Sequence, residues 1–321
     1  MTVRFAHLSP ETRTVAVADN RTRIGYIRRD RFIEHAGVQP VKARVLSLLD
    51  RPRTVRPQCV LLASEAGSGK TALLRHLQRL YPDEADRESQ RIRRRVIYCE
   101  VEPAPTPLSL QVGLLTELGA PPLNLRRRDL RNDLIKRYLS EFGVELVLFD
   151  EVQHVVALPL RERMLELDWM KWVSTAGKAS VVLAAALASG RRLIEHDPQL
   201  LTRFTEMAIP RFAAGTALAQ FLLTLERSLP LRRASGLSER SLQQAILDET
   251  TVMQGRPGLT DGIVKVVQEA AVAAVLGGAE RIDSAMLSAW RSGTSTPSRG
   301  RRQRTVVPRP EIGRQSATSS V

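Results

Sequence analysis

CVLLASEAGSGKT, residues 59–71, is the stretch on which the fold turns. Cys59 to Ala63 is a short apolar run ending at a glycine-rich segment, the pattern of a strand buried on both faces. The residues after it, Ser64, Glu65, Ala66, Gly67, Ser68, Gly69, Lys70 and Thr71, have the composition of a phosphate-binding loop. Gly67 and Gly69 permit positive φ and let the backbone approach an anion. Lys70 supplies positive charge to the β- and γ-phosphates, and Thr71 supplies a hydroxyl to Mg²⁺. Ala72 to Leu80 has helical spacing, which sets a helix N-terminus at the phosphates. Ser64 to Ala72 is therefore expected to hold ATP with Mg²⁺. The strict pattern has glycine where this chain has Ser64, but the GSGKT core and the strand–loop–helix order are kept.

A second element lies about 80 residues downstream. In ELVLFDE, Glu145 to Glu151, an apolar strand ends in two acids. Asp150 is expected to reach Mg²⁺ and Glu151 to orient and polarise an attacking water. Two acids in succession favour hydrolysis over phosphoryl transfer to another substrate. Arg203, in QLLTRF, is a candidate arginine finger for a neighbouring subunit. Arg256, in QGRPG, is a candidate phosphate contact in cis. The strand at 180–186 ends Ala184-Ala185-Ala186, where related ATPases often carry a polar residue that senses γ-phosphate; either Ser189 substitutes or that sensor is missing. His154 is placed to position the acidic pair or to serve a structural role.

Working outward, residues 1–38 read as a basic arm with one short helix around Arg28 to His35. Residues 39–210 alternate strand and helix patterns, which implies a parallel sheet flanked by helices. Residues 211–291 show helical patterns alone, a small lid domain. Residues 292–321 are rich in Ser, Thr, Pro, Gly and Arg and too polar to bury a core, so a disordered tail is expected. No apolar run reaches the length of a membrane-spanning helix, and Met1 to Asn20 lacks the apolar core of a secretory signal, which points to the cytoplasm. Cys59 and Cys99 sit in strand-like apolar runs and read as buried thiols.

The net charge is +14 over 321 residues. Arg291 to Arg314 contains seven arginines and one acid, so the body stays basic without its tail. Such a surface attracts polyanions. Aromatic residues are 4% of the chain, which disfavours a base-stacking platform and favours backbone contacts to duplex DNA. The candidate contacts are Arg91, Arg93, Arg94 and Arg95 in RIRRR, and Arg126, Arg127, Arg128 and Arg131 in RRRDLR. Loops on one side of the sheet would join them into one phosphate track.

Assembled, these pieces resemble an AAA+ ATPase, and more narrowly the TniB/TnsC family of transposition regulators. The resemblance rests on DRFIEHAGVQPVKARVLSLLDRPRTVRPQCVLLASEAGSGKT (30–71), LVLFDEVQHV (146–155), VVLAAALASGRRLIEHDPQLLTRF (181–204) and AQFLLTLERSLPL (219–231), and spans roughly residues 25 to 290. It implies a non-catalytic partner of a DDE transposase, one that also works with an accessory target-selection protein. Such a protein binds duplex DNA with ATP, forms homo-oligomeric rings or helical filaments, and recruits transposase to the target. Transposase contact then stimulates hydrolysis and disassembly. The resemblance also makes Arg203 the finger. Two other readings stay open: a helicase loader or clamp-loader-like factor, and a signalling ATPase that uses nucleotide as a switch without touching DNA.

Overall fold

The structure, a computed structural model, describes residues 5–49, 54, 56–86, 91–121, 127–196 and 202–292. Its centre is a five-stranded parallel sheet of β1 (Cys59–Ser64), β4 (Val96–Glu100), β5 (Leu146–Asp150), β6 (Ser180–Ala186) and β7 (Phe204–Met207), in the order β4-β5-β6-β1-β7. The remaining strands, β2 (Glu84–Asp86) and β3 (Arg91–Arg93), form a separate antiparallel pair. Every residue of β1 and β5 is buried, as the continuous apolar runs require of strands covered on both faces.

The strand order places the site. The chain leaves β1 for the far edge at β4, returns inward through β5 and β6, and then adds β7 on the other side of β1. Connections therefore diverge at the C-terminal end of β1, which opens a crevice there, the usual ligand position in an open parallel sheet. Ser64 pairs in register with Ala186 at that end, so the loop after β1 lies beside the end of β6.

Helices cover both faces. Leu114 and Leu118, at the end of α5 (Pro107–Glu117), pack on one face with α6 (Arg128–Glu141), α8 (Leu160–Gly177) and α9 (Leu187–His196). α3 (Gln39–Leu49) and α4 (Lys70–Leu80) cover the other through Val45, Leu73, Leu74 and Leu77. A four-residue helix, α7 (Gln153–Val156), follows β5. A third core belongs to the helical block, α10 (Thr216–Arg227), α11 (Arg240–Gln254), α12 (Thr260–Leu276) and a 3₁₀ segment over Ser284–Ser292.

The N-terminal segment differs from the expected arm. Two helices, α1 (Pro10–Ala16) and α2 (Asn20–Ile27), pack on the helical block, with Ile27 fully inside its core. Each begins at a side-chain cap: Ser9 Oγ accepts from the Thr12 N–H at 3.2 Å, and Asp19 Oδ1 from the Thr22 N–H at 3.0 Å. Arg23 is fully buried and donates twice to the Pro230 carbonyl, at 3.0 and 2.8 Å, while pairing with Glu280. The helix expected at Arg28 to His35 is absent. That stretch is instead a non-helical connection to α3, held where Arg31 donates to the Ser228 carbonyl at 2.7 Å. Of the tail read over 292–321, Ser292 closes the 3₁₀ segment and residues 293–321 lie outside the described residues, as does Arg126.

Candidate functional site

The loop between β1 and α4 carries the sequence signature into geometry. Gly67 (φ +78°) and Gly69 (φ +95°) both occupy the left-handed region that side chains rarely adopt. Gly69 is the N-cap of α4, so the first-turn N–H groups of that helix, which have no intrahelical acceptors, open onto the loop. Lys70 is buried and its ammonium donates to the carbonyls of Ser64 (3.0 Å) and Glu65 (2.9 Å). Burial lowers the Lys70 pKa, and the carboxylates of Asp150, Glu151 and Glu65 act the other way. Ser64, the departure from the usual glycine, has its own task. Its hydroxyl accepts the Ile209 N–H at 2.8 Å and ties the loop to the chain leaving β7.

Asp150 ends β5 and is fully buried. The Tyr98 hydroxyl donates to its Oδ2 at 3.0 Å, and the Glu151 N–H donates to its Oδ1 at 2.9 Å. Tyr98 is held protonated by burial and by the neighbouring Asp150 charge, which raise its pKa. Its ring lies under the Arg75 guanidinium, 3.6 Å from the centroid. Glu151 sits at φ +58°, unusual for a residue with a side chain. Its carboxylate accepts from the Gln153 side-chain amide, and His154 Nε2 stands 3.9 Å away.

The helical block closes over the loop. The Asp261 N–H, in the first turn of α12, donates to the Gly67 carbonyl at 2.9 Å, and the Thr260 hydroxyl donates to the Ser68 carbonyl at 3.2 Å. Glu65 binds two arginines from the same side. Arg211 donates through Nε at 2.5 Å and also through its terminal nitrogen, and Arg256 donates at 2.9 Å. These contacts lower the Glu65 pKa, Arg211 most strongly. Arg256 thus stands at the loop, brought there by a turn in which Gly258 meets Phe212. A Cβ at Gly258 would lie 1.9 Å from the Phe212 carbonyl oxygen.

Between the loop and the helical block lies a cavity of about 480 Å³, reaching Gly69, Thr71, Ala72 and Arg75 at one end. Its walls include Phe32, Ile33, Leu225, Val264 and Gln268. Sequence reasoning did not identify these wall residues. Phe32 and Ile33 fall in a stretch assigned to a helix, and the others look like ordinary lid-core positions.

The remaining candidates are scattered. Arg203 precedes β7 and donates to the Thr175 hydroxyl at 3.3 Å. Phe204 pairs with Cys59, so Arg203 lies at the opposite end of β1 from the loop, about 16 Å away at a strand's rise. The two arginine clusters stand at opposite ends of α6. Arg94 N–H donates to the Phe142 carbonyl at the C-terminus of α6, whereas Arg127 is the N-cap of that helix. Fourteen helical residues separate the clusters by about 20 Å. A single phosphate track through both clusters would have to span that distance. Arg93 and Arg95 pair with Glu145 at 2.7 and 2.8 Å, and Arg94 with Asp83 at 3.0 Å. Arg127 pairs with Asp129, and Arg128 approaches Glu166 at 3.9 Å. Arg131 is buried and donates to the Gln111 side chain at 2.6 Å. Arg91 lies in β3.

The residues fit a nucleotide triphosphate. Two left-handed glycines, the α4 N-terminus and Lys70 form an anion cradle, and the buried Ser68 hydroxyl meets no hydrogen-bond partner among the described residues. Among the described residues no cluster of three or more acidic, His or Cys side chains could hold a metal by itself. One carboxylate and one hydroxyl beside a phosphate site is the donor set that suits Mg²⁺, which keeps waters and phosphate oxygens. Likewise, no described helix is long and apolar enough to cross a membrane.

Residues 23–214 match the family model described as the bacterial TniB protein, a span of more than half the chain. No curated protein sequence matches it. Among solved structures, the chain is similar to the Aeropyrum pernix ORC1 protein in complex with DNA, with TM-score 0.55 and 14% identity over 84% of this chain and 68% of that one. It is also similar to the Aeropyrum pernix ORC2 protein in its ADPNP–ADP complexes, with TM-score 0.57 and 15% identity over 81% and 69%. Cdc6p from Pyrobaculum aerophilum gives TM-score 0.57 and 18% identity over 83% and 68%. At these identities the likeness is one of fold, and the fold is that of AAA+ ATPases: a five-stranded parallel sheet flanked by helices, followed by a helical domain. The chain belongs to the TniB family and is built on an AAA+ fold.

Proposed function

We propose that the protein is an Mg²⁺-dependent ATPase that regulates DNA transposition: it assembles on target duplex DNA with ATP bound and recruits or activates a DDE transposase. The observation that carries the reading is the meeting of three elements on one crevice: the Gly67–Thr71 loop, the Asp150–Glu151 pair, and the α12 N-terminus, bonded to the loop at Gly67. Bound Mg·ATP would supply the scissile phosphoanhydride and the metal's charge. Lys70 would exchange the Ser64 and Glu65 carbonyls for phosphate oxygens. Asp150, held by Tyr98, would face the metal with Thr71. Glu151 would accept a proton from the attacking water. The cavity walled by Phe32, Ile33 and Val264 offers apolar contact for the base.

The placement of Arg203 supports assembly. Arg203 is too far from its own loop to serve it, so a role at a γ-phosphate requires the loop of a neighbouring subunit. Removing that phosphate would release the contact and weaken the interface. Many weak phosphate contacts, repeated along an assembly, would sum to stable DNA binding. The family membership and the DNA-bound ORC1 neighbour support this reading.

One observation favours a second reading, the nucleotide switch that does not touch DNA. Most of the described arginines proposed for phosphate contact are engaged within the chain. Filter binding of a labelled duplex separates the two. The proposal expects retention with ATP and Mg²⁺ that falls steeply as salt rises. Absent retention at every salt concentration selects the switch, and retention identical with and without ATP contradicts both readings.

A further inference from the structure

The strand that should carry a polar group beside the phosphates ends instead in Ala184, Ala185 and Ala186. A carboxamide reaches the same place from another element. Gln153, at the start of α7, accepts the Ala186 N–H on its Oε1 at 3.2 Å, and its Nε2 donates to Glu151 Oε2. Ala186 is in register with Ser64, the first residue of the phosphate loop, so this amide bridges the acidic pair and the strand end bordering that loop. We propose that Gln153 is a positioning residue for hydrolysis, supplying from the loop after β5 the polar group that β6 lacks and fixing the Glu151 carboxylate for its work on water. The inference rests on the ATPase reading above.

The geometry separates two tasks. As an acceptor, Gln153 satisfies a backbone N–H at the junction of β6 and α9, a structural task that a carboxylate performs equally well. As a donor, it holds one oxygen of Glu151, a task no carboxylate can perform at neutral pH. Glu151 stands at positive φ, so its carboxylate starts from an uncommon backbone conformation and is directed by this bond rather than by a regular helix or strand. Ser189, the other polar residue considered for the sensor position, lies in the first turn of α9, and the amide at the strand end comes from Gln153.

The test compares wild type with Gln153→Glu, which keeps the acceptor and loses the donor, and Gln153→Ala, which loses both. Two quantities are measured on the full chain: equilibrium binding of a fluorescent ADP and of a non-hydrolysable ATP analogue, and steady-state ATP turnover with Mg²⁺. The proposal expects both variants to bind both nucleotides within about threefold of wild type, to keep KM within the same range, and to lose at least tenfold in kcat. Gln153→Glu turning over like wild type would overturn it and leave Gln153 a backbone cap. A loss of nucleotide binding matching the loss of turnover would also overturn it, by placing Gln153 in the fold of the site. Wild-type protein that binds nucleotide without hydrolysing it, alone or with duplex DNA and transposase, would overturn the ATPase reading and this inference together.

Discussion

Glu65→Gln should loosen the fold slightly and tighten nucleotide binding. In the structure the Glu65 carboxylate holds Arg211 and Arg256, with side-chain exposures of 21% for Glu65, 36% for Arg211 and 63% for Arg256. Pairs this wet contribute about 0.2–1 kcal/mol each, so losing both costs roughly 0.5–1.5 kcal/mol of stability at neutral pH. Nucleotide binding has the opposite sign. For Arg256 to reach a phosphate it must first leave Glu65. The glutamine removes that competition, returns about 0.5–1 kcal/mol to binding, and lowers Kd about two- to fivefold. The pH dependence is also signed. Arg211 first, then Arg256, hold the folded Glu65 pKa below its ordinary value. The stabilisation is present above the ordinary carboxylate range and is lost as pH falls through the lowered folded pKa. Wild type and variant should therefore converge in strong acid. Urea unfolding across pH and titration with a fluorescent ATP analogue measure both effects. A folded variant that binds nucleotide more than threefold worse than wild type would refute the reasoning, because Glu65 would then support the phosphates rather than compete for their arginine.

Two further outcomes concern the fold that carries the site. Arg23→Ala should cost about 3–5 kcal/mol in urea unfolding, because it leaves the Glu280 carboxylate and the Pro230 carbonyl without their buried partner. A loss below 1 kcal/mol would mean that the N-terminal helices are not integral to the helical block. His35 is buried against Phe212 and Phe221, and burial pushes its pKa down to about 4. A depressed folded pKa makes stability complete above the unfolded value near 6.5 and lost as pH falls toward 4, by up to about 3 kcal/mol. His35→Gln should flatten stability over that window, and an unchanged slope would contradict the assignment.

Much of this was legible from local pattern. The apolar runs at Cys59 and Leu146 are fully buried strands, and the glycines between them have the backbone angles their spacing required. The N-terminal helices were missed for an identifiable reason. At seven and eight residues they are too short to show a periodic apolar stripe, and the buried face of α2 includes Arg23, which reads as a surface residue until Glu280 is brought to it. Ser9-Pro10 and Asp19 did carry capping signals that could have located them. The partners of the arginine clusters were not legible, because sequence shows charge without its partners. Glu145 is 50 residues from Arg95, and Gln111 is 20 from Arg131. The polar group at the end of β6 was hidden for the same reason: the amide there comes from a residue 33 positions earlier, which no reading of β6 could supply.

The account depends most directly on Lys70 and its loop receiving a triphosphate. Isothermal titration of the full chain with Mg·ATP, beside Lys70→Ala, tests this without requiring DNA, transposase or turnover. The account predicts saturable binding at one nucleotide per chain. In the variant it predicts a loss of roughly ten- to a hundredfold in affinity, the value of one charge-assisted contact of about 1.5–3 kcal/mol. Equal binding by the two proteins, or no heat from wild type at millimolar ATP, would contradict it.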